Sequence, residues 1–600
     1  VRRLRSVLLT LVVDMLLVLV AWAAAFWLRF NLEVPPEFRA LAVASAPLCV
    51  LGYGLGLAAA KVNRHVWSYT GLPELRQLMV GVFLGALLST ALVLMLRLPA
   101  FPRSVILLHP LIALLLLGAV RVVSRMLAER RVSFQANGRP LVIVGSLADA
   151  SDALRALKGS QQWQPVAIVS PIAAEIGRAI QDIRVQGPIR ALGEVCAAAG
   201  AQTALVASPA GSEERREALL DTAGVTLLTM PRPDEWLKTE STGPRRIELE
   251  DLLGRAAVQL DVQGLAGLFS GQTVLVTGAG GSIGSELCRQ IARFGVHRLV
   301  CVDISEFAIY RLERELREAH PQMLGVYYTA NVREPERLLA IARAQPPAVV
   351  FHAAAYKHVP LMEQLNEIEA VNTNVLGALN MARVAGECGA RRFVLVSTDK
   401  AVNPTNVMGA SKRLSELVVQ GVAALHRGTE YVSVRFGNVL GSSGSVVPLF
   451  TSQIARGGPV TVTHPQIVRY FMTIPEAAQL VLQAGLMGES GQIFVLDMGE
   501  PMKIVELAQM LIRLSGKTEQ EIPISYIGLR PGEKLYEELL ASDETSVATP
   551  HPKLRIASTA SQPPDIDALL RWVAQAGASP DGAALRAWLR DLVPEYVVTR

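Results

Sequence analysis

Two short stretches of the chain combine residue types and spacings suited to chemistry. The first is Gly278-Ala279-Gly280-Gly281-Ser282-Ile283-Gly284, which follows the apolar run Thr273 to Thr277 and opens a helical pattern from Ser285. At such a junction Gly278 permits a tight turn, Gly281 lets backbone reach a phosphate, and Gly284 allows a helix to pack closely. The helix N-terminus then favours pyrophosphate charge. Asp303 ends the next apolar run about 20 residues on, where a carboxylate binds ribose hydroxyls. A carboxylate would repel an extra phosphate, so the pattern predicts NAD over its phosphorylated form. The second stretch is Thr398-Asp399-Lys400, closing the run Arg392 to Ser397. Adjacent opposite charges often form a plain surface ion pair. At the carboxyl end of a central strand, beside a cofactor, they are instead placed for proton transfer.

The elements that must position these residues read as alternating strands and helices. Strands are expected at Thr273 to Thr277, Arg298 to Asp303, Gly325 to Ala330, Ala348 to His352, Arg392 to Ser397, Val432 to Phe436 and Ile493 to Asp497. This is the pattern of a doubly wound parallel sheet in an α/β fold. Asn331-Val332 and His352-Ala353-Ala354-Ala355 then fall in loops at the same carboxyl edge, where small residues leave room for adenine and pyrophosphate. A second alternation, over residues 135–262, has strands near Leu141 to Gly145, Val166 to Ser170, Thr203 to Ser208 and Val225 to Met230. After Gly145 it lacks the further glycines of a dinucleotide loop, so a Rossmann-like fold without the cofactor is expected.

The N-terminal part differs in kind. Four apolar runs, Val7 to Leu28, Leu41 to Ala60, Leu78 to Leu96 and Val105 to Val123, each approach the ~20 residues that a helix needs to cross a bilayer. Arg2, Arg3 and Arg5 precede the first, Lys61, Arg64 and Arg76 separate the second from the third, and Arg125, Arg130 and Arg131 follow the fourth. The other loops carry Arg29 with Arg39, and Arg97 with Arg103, so the soluble part is expected in the cytoplasm. Asp14 lies inside the first run and is expected to pack against other helices, with His109 as a candidate partner. Whole-chain composition agrees: 51% of residues are hydrophobic and 18% charged. The net charge of +5 comes with arginines around the apolar runs, which argues against nucleic-acid binding. Five scattered cysteines, without CxxC or His partners, give no metal site and suit a reduced compartment.

The chain closely resembles the extended short-chain dehydrogenase/reductase superfamily, and within it the CapD-like polysaccharide-biosynthesis family of membrane-bound UDP-N-acetylhexosamine 4,6-dehydratases. The resemblance is carried by His352 to Glu363, Ser397 to Lys412, Arg435 to Pro448, Arg469 to Met472 and Leu529 to Leu535. The superfamily's usual Tyr-x-x-x-Lys falls on Met408 and Lys412. A thioether accepts no proton at neutral pH, so the usual base is missing. Resemblance implies that chemistry moves to Thr398, Asp399 and Lys400: Asp399 as the acid for a departing O6, Lys400 as the base at C5, and Thr398 bonded to the C4 oxygen. It further implies that Lys412 binds the nicotinamide ribose. Lys357 and His358 would meet substrate or a neighbouring subunit, Asn438 and the Gly441 to Gly444 loop the sugar nucleotide, and Arg469, Arg530 and Glu533 its phosphate side.

Four parts are therefore expected: a four-helix anchor over 1–130, the middle domain over 135–262, a catalytic domain over 263–560 and a tail over 561–600. The resemblance implies a homo-oligomer, a dimer as is common among relatives of the fold, acting on a UDP-sugar. The rival readings are a UDP-sugar 4-epimerase and a membrane-tethered nucleotide-sugar sensor without turnover. Because every proposed catalytic residue lies beyond Val258, a fragment from there is expected to be soluble and active.

Overall fold

The computed structural model describes residues 2–62, 72–96, 101–131, 138–158, 160, 162–221, 224–230, 244–255, 258–540, 545–558, 562–577 and 581–597. Arg64 and Arg97, two of the loop charges, lie outside the described residues. The chain forms two compact units, Val1–Arg139 with Arg155–Gln164, and Pro140–Leu154 with Pro165–Arg600.

The first unit contains helices Arg2–Arg29, Pro36–Ala59, Leu72–Met95 and Arg103–Arg131, each long and apolar enough to cross a membrane. Outward-facing Phe83, Leu107 and Leu115 are exposed by 68%, 73% and 71%, a surface that suits lipid and not water. The second and third helices meet through small residues. A methyl group built on Gly56 would lie 2.3 Å from the backbone nitrogen of Gly85, and one on Gly52 would lie 2.3 Å from Ser89 Oγ. Such close approach is how apolar helices associate where no hydrophobic force separates protein from solvent. Asp14 pairs with Arg121 of the fourth helix at 2.8 Å, both buried, and not with His109. His109 lies instead against the Cys49 thiol and the Val18 carbonyl. Arg121 lies inside the fourth apolar run, near its end, and its long side chain reaches an acid on another helix.

The second unit holds two large sheets and three two-stranded ones. The smaller of the large sheets has the order Ala179–Ile180, Ile183–Gly187, Trp163–Val169, Arg139–Val144, Thr203–Val206, Thr226–Thr229, Arg245–Arg246. Its strand Ile183–Gly187 was not expected, because it alternates buried and exposed residues, IRVQG, without a long apolar run. The larger sheet has the order Leu324–Thr329, Arg298–Asp303, Thr273–Thr277, Val349–His352, Arg392–Val396, Glu430–Arg435, Ile493–Leu496, Leu554–Ser558, Thr545–Ala548. The first seven run parallel; Leu554–Ser558 pairs antiparallel with the seventh, and Thr545–Ala548 antiparallel with Leu554–Ser558. The chain reverses its direction of travel across the sheet between Thr273–Thr277 and Val349–His352. That switch point opens a crevice at the carboxyl edge, where ligands bind in such folds.

Two of the expected parts share buried clusters with the catalytic lobe. The middle domain does not stand apart: Val206, Leu219 and Leu252 share one buried cluster with Phe471, Met502 and Leu507 of the catalytic lobe. Arg255 is also fastened to Glu476 at 2.6 Å. A cut near Val258 would therefore strip cover from apolar side chains, and the expected soluble fragment would expose them. Nor are residues 561–600 a simple tail. Helices Ile566–Ala576 and Gly582–Leu592 pack Leu569, Leu585 and Leu589 into the same core as Leu414 and Leu417 of the long helix Val407–Leu425. Their amphipathic spacing, and not their position near the chain end, decides this.

Candidate active site

The glycine loop has the geometry its sequence implies. Gly278 has φ of 66°, and a Cβ there would lie 2.5 Å from the Ala354 nitrogen, so the loop after Val349–His352 presses directly against it. A Cβ on Gly284 would fall 2.1 Å from the Gly278 carbonyl, which brings helix Ser282–Ile291 tightly onto the turn. Gly281 caps that helix without any side-chain bond, leaving its first amides open. Asp303 reaches across: its carboxylate accepts from Gly280 N and Ser305 N, both at 2.9 Å. Ile283 is half-buried against the core and Val332 is buried, while Asn331 Oδ1 caps the Arg333 nitrogen at 3.1 Å. Ala353 and Ala354 line the loop as small, half-buried residues. Ser282 Oγ accepts from Ser443 N at 3.1 Å, joining the glycine loop to the 441–445 loop across the crevice. These features fit a dinucleotide: an open helix end, a cradle that side chains would fill, and a carboxylate at the ribose position.

Thr398, Asp399 and Lys400 form one hydrogen-bonded cluster at the end of strand Arg392–Val396. Thr398 Oγ1 donates to Asp399 Oδ1 at 2.9 Å, and Lys400 Nζ donates to the same oxygen at 3.0 Å and to Asn438 Oδ1 at 3.1 Å. Asp399 is 1% exposed, and its Oδ2 is buried without a partner. An unsatisfied buried carboxylate oxygen is costly and leaves room for a hydrogen-bond donor beside it. Burial pushes the Lys400 amine down, but the charges of Asp399 and Glu537 more than offset it, so its pKa lies above the ordinary lysine value. Glu537, 3.8 Å from Lys400 Nζ, was not anticipated. It follows the glycine-containing turn at Gly532 with no local pattern to mark it.

Met408 and Lys412 lie on the first turns of helix Val407–Leu425, whose N-cap Asn406 accepts from Gly409 N. Met408 is 2% exposed and belongs to the hydrophobic core. Lys412 Nζ donates to the Val396 carbonyl at 2.7 Å. Burial lowers its pKa to about 8, with Glu416 opposing. Beneath it, Glu416 is fully buried and bonded to Ser397, Arg413 and Arg435. Burial alone would raise its pKa, but Arg435, Arg413 and Ser397 hold it down to about 2. This network locks the strand that carries Thr398 to the helix that carries Lys412.

The expected substrate residues divide. Asn438 holds Lys400, as above. Lys357 and His358 line the accessible side of the crevice, and the His358 ring packs where a Cβ on Gly444 would stand, 2.5 Å away. Burial and the charge of Lys400 lower the Lys357 pKa, and burial with Lys357 lowers that of His358. Glu533 takes up the Arg530 nitrogen and the Thr463 hydroxyl, and the Arg530 side chain is exposed. Arg469 departs from the expected phosphate fork. It is 6% exposed and donates to the carbonyls of Val468, Lys534 and Leu535, with Glu537 at 3.5 Å. Its donors are committed to holding residues 530–538, because a desolvated guanidinium must satisfy itself from nearby carbonyls.

Comparison with known proteins gives the chain a family. The family described as "Polysaccharide biosynthesis protein" matches residues 274–559. The capsular polysaccharide biosynthesis protein CapD of Staphylococcus aureus is 39% identical over 513 residues, 84% of this chain and 86% of its own. The probable polysaccharide biosynthesis protein EpsC of Bacillus subtilis is 40% identical over 535 residues, 88% of each chain. A UDP-glucose 4-epimerase of Rickettsia canadensis is 36% identical over 289 residues, 47% of this chain and 81% of its own. Among solved structures, a double mutant of the dTDP-glucose 4,6-dehydratase DesIV of Streptomyces venezuelae, with NAD bound, matches with TM-score 0.40 and 22% identity over 44% of this chain and 87% of that one. With identity near 40% over 84% and 88% of its length, this chain belongs to the CapD-like family of polysaccharide biosynthesis proteins.

Proposed function

We propose that this chain is a membrane-anchored, NAD-dependent 4,6-dehydratase that converts a UDP-N-acetylhexosamine, UDP-N-acetylglucosamine foremost, into its 4-keto-6-deoxy form for surface-glycan synthesis. The observation that carries this reading is the Asp399–Lys400 contact of 3.0 Å at a central strand end, with a thioether at 408 where a phenol would act. Dehydration oxidises C4, removes the C5 proton acidified by the new ketone, expels O6 as water and returns hydride to C6. Two proton-transfer groups of opposite duty are required. NAD supplies the site that accepts and returns the hydride.

The cluster offers each proton a path. Thr398 donates to Asp399, so its hydroxyl can take the C4 hydroxyl proton while passing its own to the carboxylate. Protonated Asp399 is then the acid that O6 needs. Lys400, once neutral, takes the C5 proton and later gives it back. It rests as an ammonium between carboxylates and releases that proton to solvent, to which its side chain is 22% open, before it takes the one from C5. Gly278, Gly281, Ser282, Ile283 and Gly284 hold pyrophosphate, Asp303 the adenosine ribose, Asn331, Val332, Ala353 and Ala354 the adenine side, and Lys412 the nicotinamide ribose. Lys357, His358, Asn438, Arg530 and Glu533 meet the nucleotide sugar, with Arg469 seating their loop.

In this reading the soluble domains face the cytoplasm at a bacterial inner membrane. The chain acts as a homo-oligomer, a dimer. Its contact surface must lie away from residues 407–419 of helix Val407–Leu425, since each of these is buried within one chain. Purified full-length protein with NAD and UDP-N-acetylglucosamine should yield a product lighter by one water. Deuterium placed at C4 should reappear in the C6 methyl. The similarity to UDP-glucose 4-epimerases favours a second reading, and deuterium returned to C4 with C6 unlabelled would establish it instead.

A further inference from the structure

The sequence motifs leave one charged residue at the catalytic pair unaccounted for. Glu537 is carried by residues 530–538, which are fastened over the loop that follows Lys400. Thr405 Oγ1 and Asn406 Nδ2 donate to the Gly532 carbonyl at 2.9 and 3.0 Å, and Lys534 Nζ donates to the Val402 carbonyl at 3.1 Å. Arg469 adds bonds to the Lys534 and Leu535 carbonyls. So seated, the segment delivers one carboxylate inward. The Glu537 side chain is 5% exposed, with Oε1 3.8 Å from Lys400 Nζ and 3.5 Å from Arg469 Nε. A buried carboxylate shared between two cations is a costly arrangement unless both contacts are used.

We propose that Glu537 is a positioning residue for the dehydration, the second carboxylate that holds the Lys400 ammonium beside Asp399 and ties its charge and place to the seating of residues 530–538. The idea rests on the functional reading above. Every charge facing Lys400 enters it. Asp399 and Glu537 favour the ammonium, while Arg469 and Lys357 oppose it. With Asp399 alone, Lys400 would have one anchor on its own loop. Glu537 supplies another from a segment more than 130 residues away in sequence, and so fixes where the amine points when it becomes the base. A purely structural role, neutralising Arg469, would leave Lys400 unchanged when Glu537 loses its charge.

The test compares full-length wild type, Glu537→Gln, Glu537→Asp and, as a control on the same segment, Glu538→Gln, whose parent Glu538 pairs with Lys534. Competitive acetylation by acetic anhydride, read at Lys400 by mass spectrometry across pH, reports the ionisation of its amine without turnover. Glu537→Gln should lower the labelling midpoint by about one pH unit, the size of effect expected from losing a nearby opposite charge. The acid limb of the kcat profile should move down with it, and the plateau of kcat should fall on the order of tenfold with KM little changed. Glu537→Asp should recover part of both, and Glu538→Gln should leave the labelling midpoint in place. An unmoved midpoint in Glu537→Gln, or an equal shift in Glu538→Gln, overturns the proposal. Failure of the wild type to dehydrate the sugar would sink the functional reading alone, because the labelling comparison still decides what Glu537 does.

Discussion

Two Rossmann-like regions lie in one polypeptide, and they differ at the same structural point, the N-terminus of the helix after the first strand. In the catalytic region that end is open, lined by Gly278, Gly281 and Gly284, with Asp303 across the turn. In the middle region it is filled from within. Glu175 accepts from Leu147 N at 2.9 Å and from Ser170 Oγ at 2.6 Å, and Asp149 accepts from Ser146 N and Oγ. A carboxylate of the protein stands where a pyrophosphate oxygen would, satisfying the same amides and the same helix end. The comparison predicts that the middle region takes no dinucleotide: it supplies its own anion, and the missing glycines are half of the difference.

The sharpest test of this division is catalytic. Asp399→Asn or Lys400→Ala should each lower turnover by roughly a hundredfold to ten-thousandfold, while Glu175→Gln should leave it unaltered when dehydration is followed by loss of water from the sugar nucleotide. A large loss from the middle-domain change would end the idea that chemistry belongs to one region.

Stability should divide as sharply. Glu416→Gln removes the buried counter-charge of Arg435 and leaves Arg413 to Glu595, which costs roughly 3–5 kcal/mol. The middle region's Arg245–Asp251 pair is partly exposed and should matter less. The Glu416 carboxyl is held far below its unfolded value, so its contribution is complete above the ordinary glutamate range and is lost as pH falls towards about 2. Acid unfolding of Glu416→Gln should therefore lack that portion of the pH dependence, as denaturant midpoints at several pH values would reveal.

Cofactor content sharpens the comparison further. Gly284→Val should empty purified protein of NAD, because a side chain there meets the Gly278 carbonyl. Glu175→Ala, which unplugs the middle helix, should leave the stoichiometry at one NAD per chain, since the glycines are still missing. Two per chain would mean that the plug alone had kept the second site shut. The smallest effect belongs to Met408→Leu. It preserves core volume and removes no titrating group, so turnover should stay within about threefold of wild type and stability within about 1.5 kcal/mol. A collapse in turnover with the fold intact would give the thioether a chemical part.

What was legible in the sequence was local. The strand Thr273–Thr277 and its glycines, Asp303 at the next strand end, and the Asp399–Lys400 dipeptide are read within a few residues, because turns, helix ends and adjacent charges are short-range physics. What escaped depends on chain segments meeting from afar. Glu537 gains meaning only when residues 530–538 fold over Lys400, and Arg121 only when its helix lies beside Asp14. Arg469 was read as a phosphate ligand because a lone arginine near a family motif carries no sign that three carbonyls will claim it. The C-terminal helices carried a clear amphipathic period, and position near the chain end obscured it.

Helices Ile566–Ala576 and Gly582–Leu592 act as a brace for the helix that carries Met408 and Lys412. Arg586 reaches Glu363, whose carboxylate accepts from Val407 N at the start of that helix, and Glu595, 182 residues away in sequence, pairs with Arg413. A label or substitution at the surface of residues 582–595 therefore acts on the back of helix Val407–Leu425, far from the crevice itself, and a change there should loosen the seat of Lys412 without touching any group that faces the crevice.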